Sequence, residues 1–264
     1  AVWLASRRLR WELAIVAVGL NPLILSFGVN DAHCDVAVGA LILGGAIALS
    51  SKRNILAGVV FALAVLIKIS AAPALAGAVI WTLFRRGKRS ALEVAISGAV
   101  VLFTGLLLGG GSQVLEPLRA ASSRHSRFSI WNPVHFELTN SFVPEKFSQA
   151  SLDHVMGFVA STLVMIVAAA IIWKYRNEIT PVLVIAGGLV AYQLLGAYSL
   201  SWYAIWSLPL LVLKWRHPLA VLAMFHASWI AVAYFSGYIA WALIPLVTIV
   251  MWHKPSRRAI LDSS

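Results

Sequence analysis

Charge is what this chain has least of: 12% of its residues are Asp, Glu, Lys or Arg, about half of what a soluble domain carries. With 60% of residues hydrophobic and a mean hydropathy of +0.85, a water-soluble globule is excluded and a polytopic membrane protein is implied. Acids are the scarcer sign, ten Asp and Glu against 21 Lys and Arg. The resulting formal charge of +11 would suggest nucleic acid as a partner in a soluble protein. Here the basic residues sit in short clusters between apolar runs, the pattern of cytoplasmic loops, so no nucleic-acid partner is expected. Cysteine is nearly absent: Cys34 alone excludes an internal disulfide and says little about redox compartment. Soluble-enzyme signatures are missing too, with no Walker loop and no Rossmann glycine fingerprint. No internal repeat or low-complexity tract stands out.

What the chain does hold is apolar runs, at 11–29, 36–50, 55–67, 71–84, 91–110, 152–173, 180–198, 203–213, 218–235 and 238–252. The strongest approach the ~20 residues that cross ~30 Å of hydrocarbon. With a cytoplasmic N-terminus, sixteen of the 21 basic residues fall on the inside. These are Arg7, Arg8 and Arg10; Lys52 and Arg53; Arg85, Arg86, Lys88 and Arg89; Lys174 and Arg176; Lys214 and Arg216; and Lys254, Arg257 and Arg258. Lys68, Arg119, Arg124, Arg127 and Lys146 fall outside. That alternation follows the positive-inside bias. It requires residues 55–84 to form a helical hairpin with Lys68 near its apex, because a single crossing would move Arg85–Arg89 outside. The expected architecture is all-α: one membrane domain over 1–264, about ten membrane helices, some of them short, and both termini cytoplasmic. An outer loop at 112–150 is too long for a simple connection and, with Trp131 and Phe128, too aromatic for disorder.

Ionisable groups at membrane depth are costly and mark working sites. Asp31, His33 and Asp35 occupy a turn between two apolar runs. Asp35 suits either a helix cap, which needs only one acid, or a site that orients a sugar; a metal is not specified by this spacing, and neither metal nor cofactor is expected. Lys68 lies about thirteen residues up a helix, roughly 20 Å from the inner surface. It suits either a snorkelling side chain or a cation at the floor of an outward-facing cavity. In Ser126-Arg127-Phe128-Ser129-Ile130-Trp131-Asn132-Pro133 a cation, an aromatic face and a turn-forming Asn-Pro come together. Trp suits sugar stacking and Arg suits phosphate, while an interfacial aromatic belt is the plain alternative for Trp131, Trp202 and Tyr203.

Asn21-Pro22-Leu23, Gly28, His33-Cys34-Asp35, Ala57-Gly58 and Ile67-Lys68, followed by Ser201-Trp202-Tyr203, Trp206 and Leu208-Pro209-Leu210, resemble the polyprenol-phosphate-mannose-dependent α-mannosyltransferases of actinobacteria. Cys34 stands where that family has Asn, and Ser201 where it has Pro. The resemblance runs from about residue 12 to 213 and implies a GT-C membrane glycosyltransferase with its active site at the outer face. It implies transfer of a sugar, mannose above all, from a polyprenyl-phosphate donor to a glycan or glycolipid acceptor. The family's catalytic carboxylate usually follows its first membrane helix, ahead of the His-Asn-Asp turn, so the chain is expected to be the C-terminal part of a longer enzyme, or a diverged short version of one. The site residues expected on this basis are Asp35 and Asp31 for catalysis, Lys68, Arg127 and His33 for the donor phosphate, and Trp131, Trp202 and Tyr203 for the sugar or acceptor groove. A rival from another class is a transporter or lipid flippase, with Asp35 and Lys68 as a charge pair in its pathway.

Overall fold

The computed structural model describes residues 34–111, 129–139 and 149–236, together with Leu25 and Ser126. The apolar runs 11–29 and 238–252, both termini and most of the 112–150 loop lie outside the described residues. Among the described residues the regular structure is helical throughout. Nine α-helices are present there: α1 (Asp35–Ser50), α2 (Asn54–Ile67), α3 (Ala72–Arg86), α4 (Lys88–Leu108), α5 (Trp131–Glu137), α6 (Gln149–Tyr175), α7 (Val182–Leu195), α8 (Ala204–Leu211) and α9 (Pro218–Ser236). The chain is a helical membrane protein.

Helix α7 is buried at every position from Val182 to Ala191, as expected of a helix that is apolar all round. It packs against α3, α6 and α8, while α2 lies between α1 and α4. Helix α4 shows the opposite pattern. Its Leu92, Ile96, Val100, Phe103 and Leu107 are exposed at three- and four-residue spacing, which puts them on one face. Lys88–Leu108 and Ser151–Tyr175 are long and apolar enough to cross a bilayer, while α1, α2 and α7 run to 16, 14 and 14 residues. At 1.5 Å per residue such short helices span less than ~30 Å of hydrocarbon.

The expected hairpin at 55–84 is present in its geometry. Helix α2 stops at Ile67, Lys68 is extended at φ −151° and ψ 110°, and a 3₁₀ turn over Ile69–Ala71 leads into α3. At the far ends, the Arg86 guanidinium donates to Asn54 Oδ1 at 3.1 Å, so the two helices do run back on each other. Gly87, at φ 88°, then turns the chain into α4 in a conformation that favours glycine.

Four connections collect at that same end. The Trp81 indole donates to the Glu178 carbonyl at 2.8 Å, Arg176 lies over the Phe84 ring, and Tyr175 meets His217 edge-on. Lys52, Arg53, Arg85, Arg86, Lys88, Arg89, Lys174, Arg176, Lys214 and Arg216 belong to these connections and the helix ends beside them. The opposite end carries Lys68.

One local expectation fails. Asn132-Pro133 is not a turn but part of the first turn of α5. Pro is tolerated there because the first amides of a helix have no intrahelical partner.

Candidate functional site

Helix α1 begins at Asp35 itself, with Cys34 at the cap position and no side-chain cap bond. The capping role open to Asp35 is therefore not the one it plays. Its carboxylate turns inward and is 0% exposed. Lys68 Nζ donates to Oδ1 at 2.8 Å and to Oδ2 at 3.0 Å. The Trp206 indole N–H donates to Oδ1 at 2.8 Å. A buried carboxylate needs such partners, since an unpaired one is strongly unfavourable.

Lys68 reaches Asp35 because α2 ends one residue before it, freeing the backbone to aim the side chain at α1. Beneath the ammonium lie two rings of the α8 entry. Tyr203 and Trp206 stack at 4.3 Å between centroids, and Lys68 Nζ sits 4.6 Å from the first and 5.4 Å from the second. Such cation–π contacts contribute about 0.5–2 kcal/mol each. The Lys68 side chain remains 24% exposed. An ammonium has three donors, and the two bonds to Asp35 leave one for a ligand. Asp35, by contrast, has both oxygens engaged.

Gly39 makes the meeting of α1 and α8 possible. A Cβ there would stand 2.6 Å from the Ile205 carbonyl oxygen. Gly39 is four residues beyond Asp35, hence on the same helix face, so the close approach brings Asp35 against Trp206.

Tyr192 extends the aromatic shelf, 5.9 Å from Tyr203 and 6.2 Å from Trp206. It also lines a cleft of about 270 Å³ with Ser70, Pro73, Gly157, Ser161 and Tyr198. Irregular backbone at membrane depth is tolerated where it borders a cavity or is buried in protein, and both breaks, Ile69–Ala71 and 196–200, border this cleft. The C-terminal carbonyls of α7 are satisfied from outside the helix, as such ends require. Trp131 Nε1 donates to the Leu195 carbonyl at 2.6 Å, and the Ser199 hydroxyl to the Gln193 carbonyl at 2.6 Å. The Ser126 amide donates to the Ala197 carbonyl at 2.8 Å. Trp131 thus fastens α5 to the rim of the cleft.

The structure brings Asp35, Lys68 and Tyr203 into one cluster. Trp202 lies beside it, its ring edge-on to Tyr203 at 6.4 Å, and Trp131 is tied to the end of α7. Asp31, His33 and Arg127 lie outside the described residues. Sequence reasoning misses Tyr192 and Gly39 as site residues, and it gives Trp206 only as part of the resemblance, with no role. Trp206 had a readable signal: it follows Tyr203 by three residues, which puts both on one helix face.

A partly exposed ammonium, paired with a buried carboxylate and floored by two aromatic rings, thus stands beside an apolar cleft. No curated protein and no solved structure matches the chain. Residues 1–197 match a family model, that of glycosyltransferase family 87. The match covers well over half of the 264 residues. The chain belongs to glycosyltransferase family 87, a family of membrane enzymes that pass a sugar from a donor to an acceptor.

Proposed function

We propose that the chain transfers a sugar, mannose by its sequence resemblance, from a polyprenyl-phosphate donor to a glycan or glycolipid at the outer face of the membrane, on a GT-C scaffold. The observation that carries this reading is the ammonium of Lys68, neutralised on one side by buried Asp35 and still able to donate on its exposed side. It stands at the end of the bundle away from the cytoplasmic clusters, next to an apolar cleft. A phosphate ester takes the remaining donor, and its isoprenoid chain takes the cleft.

In the reaction the acceptor hydroxyl oxygen attacks the anomeric carbon. The bond from that carbon to the phosphate oxygen breaks, and the phosphate departs with the electron pair. Donors placed where charge develops lower such barriers most, which assigns Lys68, with Arg127 and His33, to the leaving phosphate. Asp35 has the wrong surroundings for a base, being buried and accepting three N–H bonds. We assign it to positioning Lys68. Within this sequence proton removal falls to Asp31, four residues earlier; in a longer enzyme the resemblance gives that role to the carboxylate after the first membrane helix. Tyr203, Trp202 and Trp131 offer ring faces to a sugar, Trp131 only its face because its N–H is used on Leu195.

Membership of a glycosyltransferase family does not favour the transporter reading, although the Asp35–Lys68 pair is the one that reading named. The test is transfer by purified chain in lipid nanodiscs, supplied with a polyprenyl-phosphate sugar and a glycolipid acceptor. Polyprenyl phosphate should be released only when both are present. Asp31→Asn should slow turnover by ~10²–10⁴-fold, the usual worth of general-base catalysis, without weakening donor binding. Turnover from a nucleotide sugar instead would overturn the donor assignment, and normal turnover in Asp31→Asn would remove Asp31 as base.

A further inference from the structure

A second cavity, of about 380 Å³, opens between α1, α3, α7 and α8 at the basic end of the bundle, on the opposite side from Lys68. Its size falls within the roughly 300–1,000 Å³ of small-molecule sites. Its lining combines apolar Leu43, Ala46, Leu210 and Leu213 with polar Ser51 and the Arg86 guanidinium. Thr180 Oγ1 is buried with no hydrogen-bond partner among the described residues. Arg86 is held in place by its bond to Asn54 at 3.1 Å and by the Trp81 ring at 4.9 Å. A guanidinium has five donors, so several remain for an oxyanion. The connections around the mouth carry nine further Lys and Arg against Glu93 and Glu178. Basic pockets between membrane helices on the cytoplasmic side are places where anionic lipid headgroups bind.

We propose that this cavity holds an anionic phospholipid of the leaflet at the basic end, with the phosphate against Arg86 and the start of an acyl chain between α1 and α8. The site is separate from the sugar-transfer site, and its occupancy does not depend on what that site does. An anionic lipid here ties together the four connections that set the helices carrying Asp35, Lys68 and Trp206.

The test uses purified, lipid-depleted chain, exchanged into phosphatidylcholine nanodiscs with and without phosphatidylglycerol, then re-extracted in detergent. Phosphatidylglycerol retained with the protein is measured by mass spectrometry, and Tm is followed in parallel. Wild type should keep stoichiometric phosphatidylglycerol and gain in Tm. Arg86→Gln should retain about tenfold less, as the loss of one charge-assisted contact implies. Arg86 also bonds Asn54, so Leu213→Trp, which fills the cavity from a partly exposed wall and keeps every charge, is the second variant and should lose retention likewise. Arg85→Gln removes an exposed charge beside the mouth and should retain lipid like wild type. Retention unchanged in Leu213→Trp, or lost equally in Arg85→Gln, overturns the proposal in favour of general surface attraction. An equal rise in Tm with inorganic phosphate alone overturns the lipid assignment and makes the ligand a free anion.

Discussion

Burying the Asp35 carboxylate without a partner would cost several kcal/mol, and Lys68 supplies two of the three bonds that prevent this. The consequence is that Lys68 serves the fold as well as any ligand. Lys68→Met alone leaves a buried charge with only the Trp206 N–H, and should lower stability by about 3–5 kcal/mol. Loss of donor binding in that variant would then be ambiguous. The double variant Asp35→Leu with Lys68→Met removes both charges, and apolar replacement of a buried pair is often neutral or stabilising. It should recover most of the lost Tm in nanodiscs and still bind no polyprenyl-phosphate donor. Donor affinity at the wild-type level in a folded double variant would take Lys68 out of phosphate recognition. Spacing along the chain does not reveal this pairing, because Asp35 is 33 residues from Lys68 and 171 from Trp206. What sequence alone marks is that both charges lie in apolar surroundings, which is why the transporter reading could set them against each other as a pair without any contact to show it.

Helix α1 is placed against α8 by the one position on its face that has no side chain. In Gly39→Ala the new Cβ would meet a backbone oxygen at 2.6 Å, which cannot swing aside as a flexible side chain would. The helices must part, at about 1–3 kcal/mol of overpacking, and Asp35 moves away from Trp206. Gly44 is the control on the same helix: a Cβ there finds its nearest neighbour, Val60 Cγ1, at an ordinary 3.7 Å. Gly44→Ala should be neutral or stabilising by up to ~1 kcal/mol through helix propensity. Thermal unfolding of the two variants, with turnover measured alongside, separates them; equal Tm values would mean that α1 and α8 do not need the close contact. Element boundaries were far more legible than such contacts. The apolar run read at 36–50 became Asp35–Ser50, 55–67 became Asn54–Ile67 and 218–235 became Pro218–Ser236. Their ends are marked by Asp, Lys, Arg, Gly or Pro, which end apolar runs by hydration cost or by backbone geometry. Helix α5 was missed because its seven residues hold Pro133 and are too few to show a period.

The whole bundle is polarised. Basic connections gather at one end, exposed apolar stripes such as Leu92, Ile96, Val100, Phe103 and Leu107 run along the sides, and the Lys68–Asp35 cluster with its broken helices occupies the other end. The positive-inside bias counts Lys and Arg in short loops near helix ends, which describes the connections at 51–53, 86–88, 176–181 and 212–217. On that bias we propose that the basic end faces the cytoplasm and the cluster the outer leaflet, where a lipid-linked donor would be met. The assignment is open to a direct test by labelling with a membrane-impermeant maleimide in intact cells. Cys34, the one native cysteine, is exposed and must first be changed to Ala. Single cysteines are then introduced as Ser51→Cys, Lys88→Cys, Asn177→Cys and Trp215→Cys at the basic end, and as Ala120→Cys in the outer loop. The first four should label only after the cells are permeabilised, and the last in intact cells. Because Arg86 and Asn54 are bonded to each other, positions 51 and 88 must report the same side. Labelling of Lys88→Cys from outside would invert the whole bundle, move the Lys68 cluster to the cytoplasmic leaflet, and remove the basis for an outward-facing lipid-linked donor.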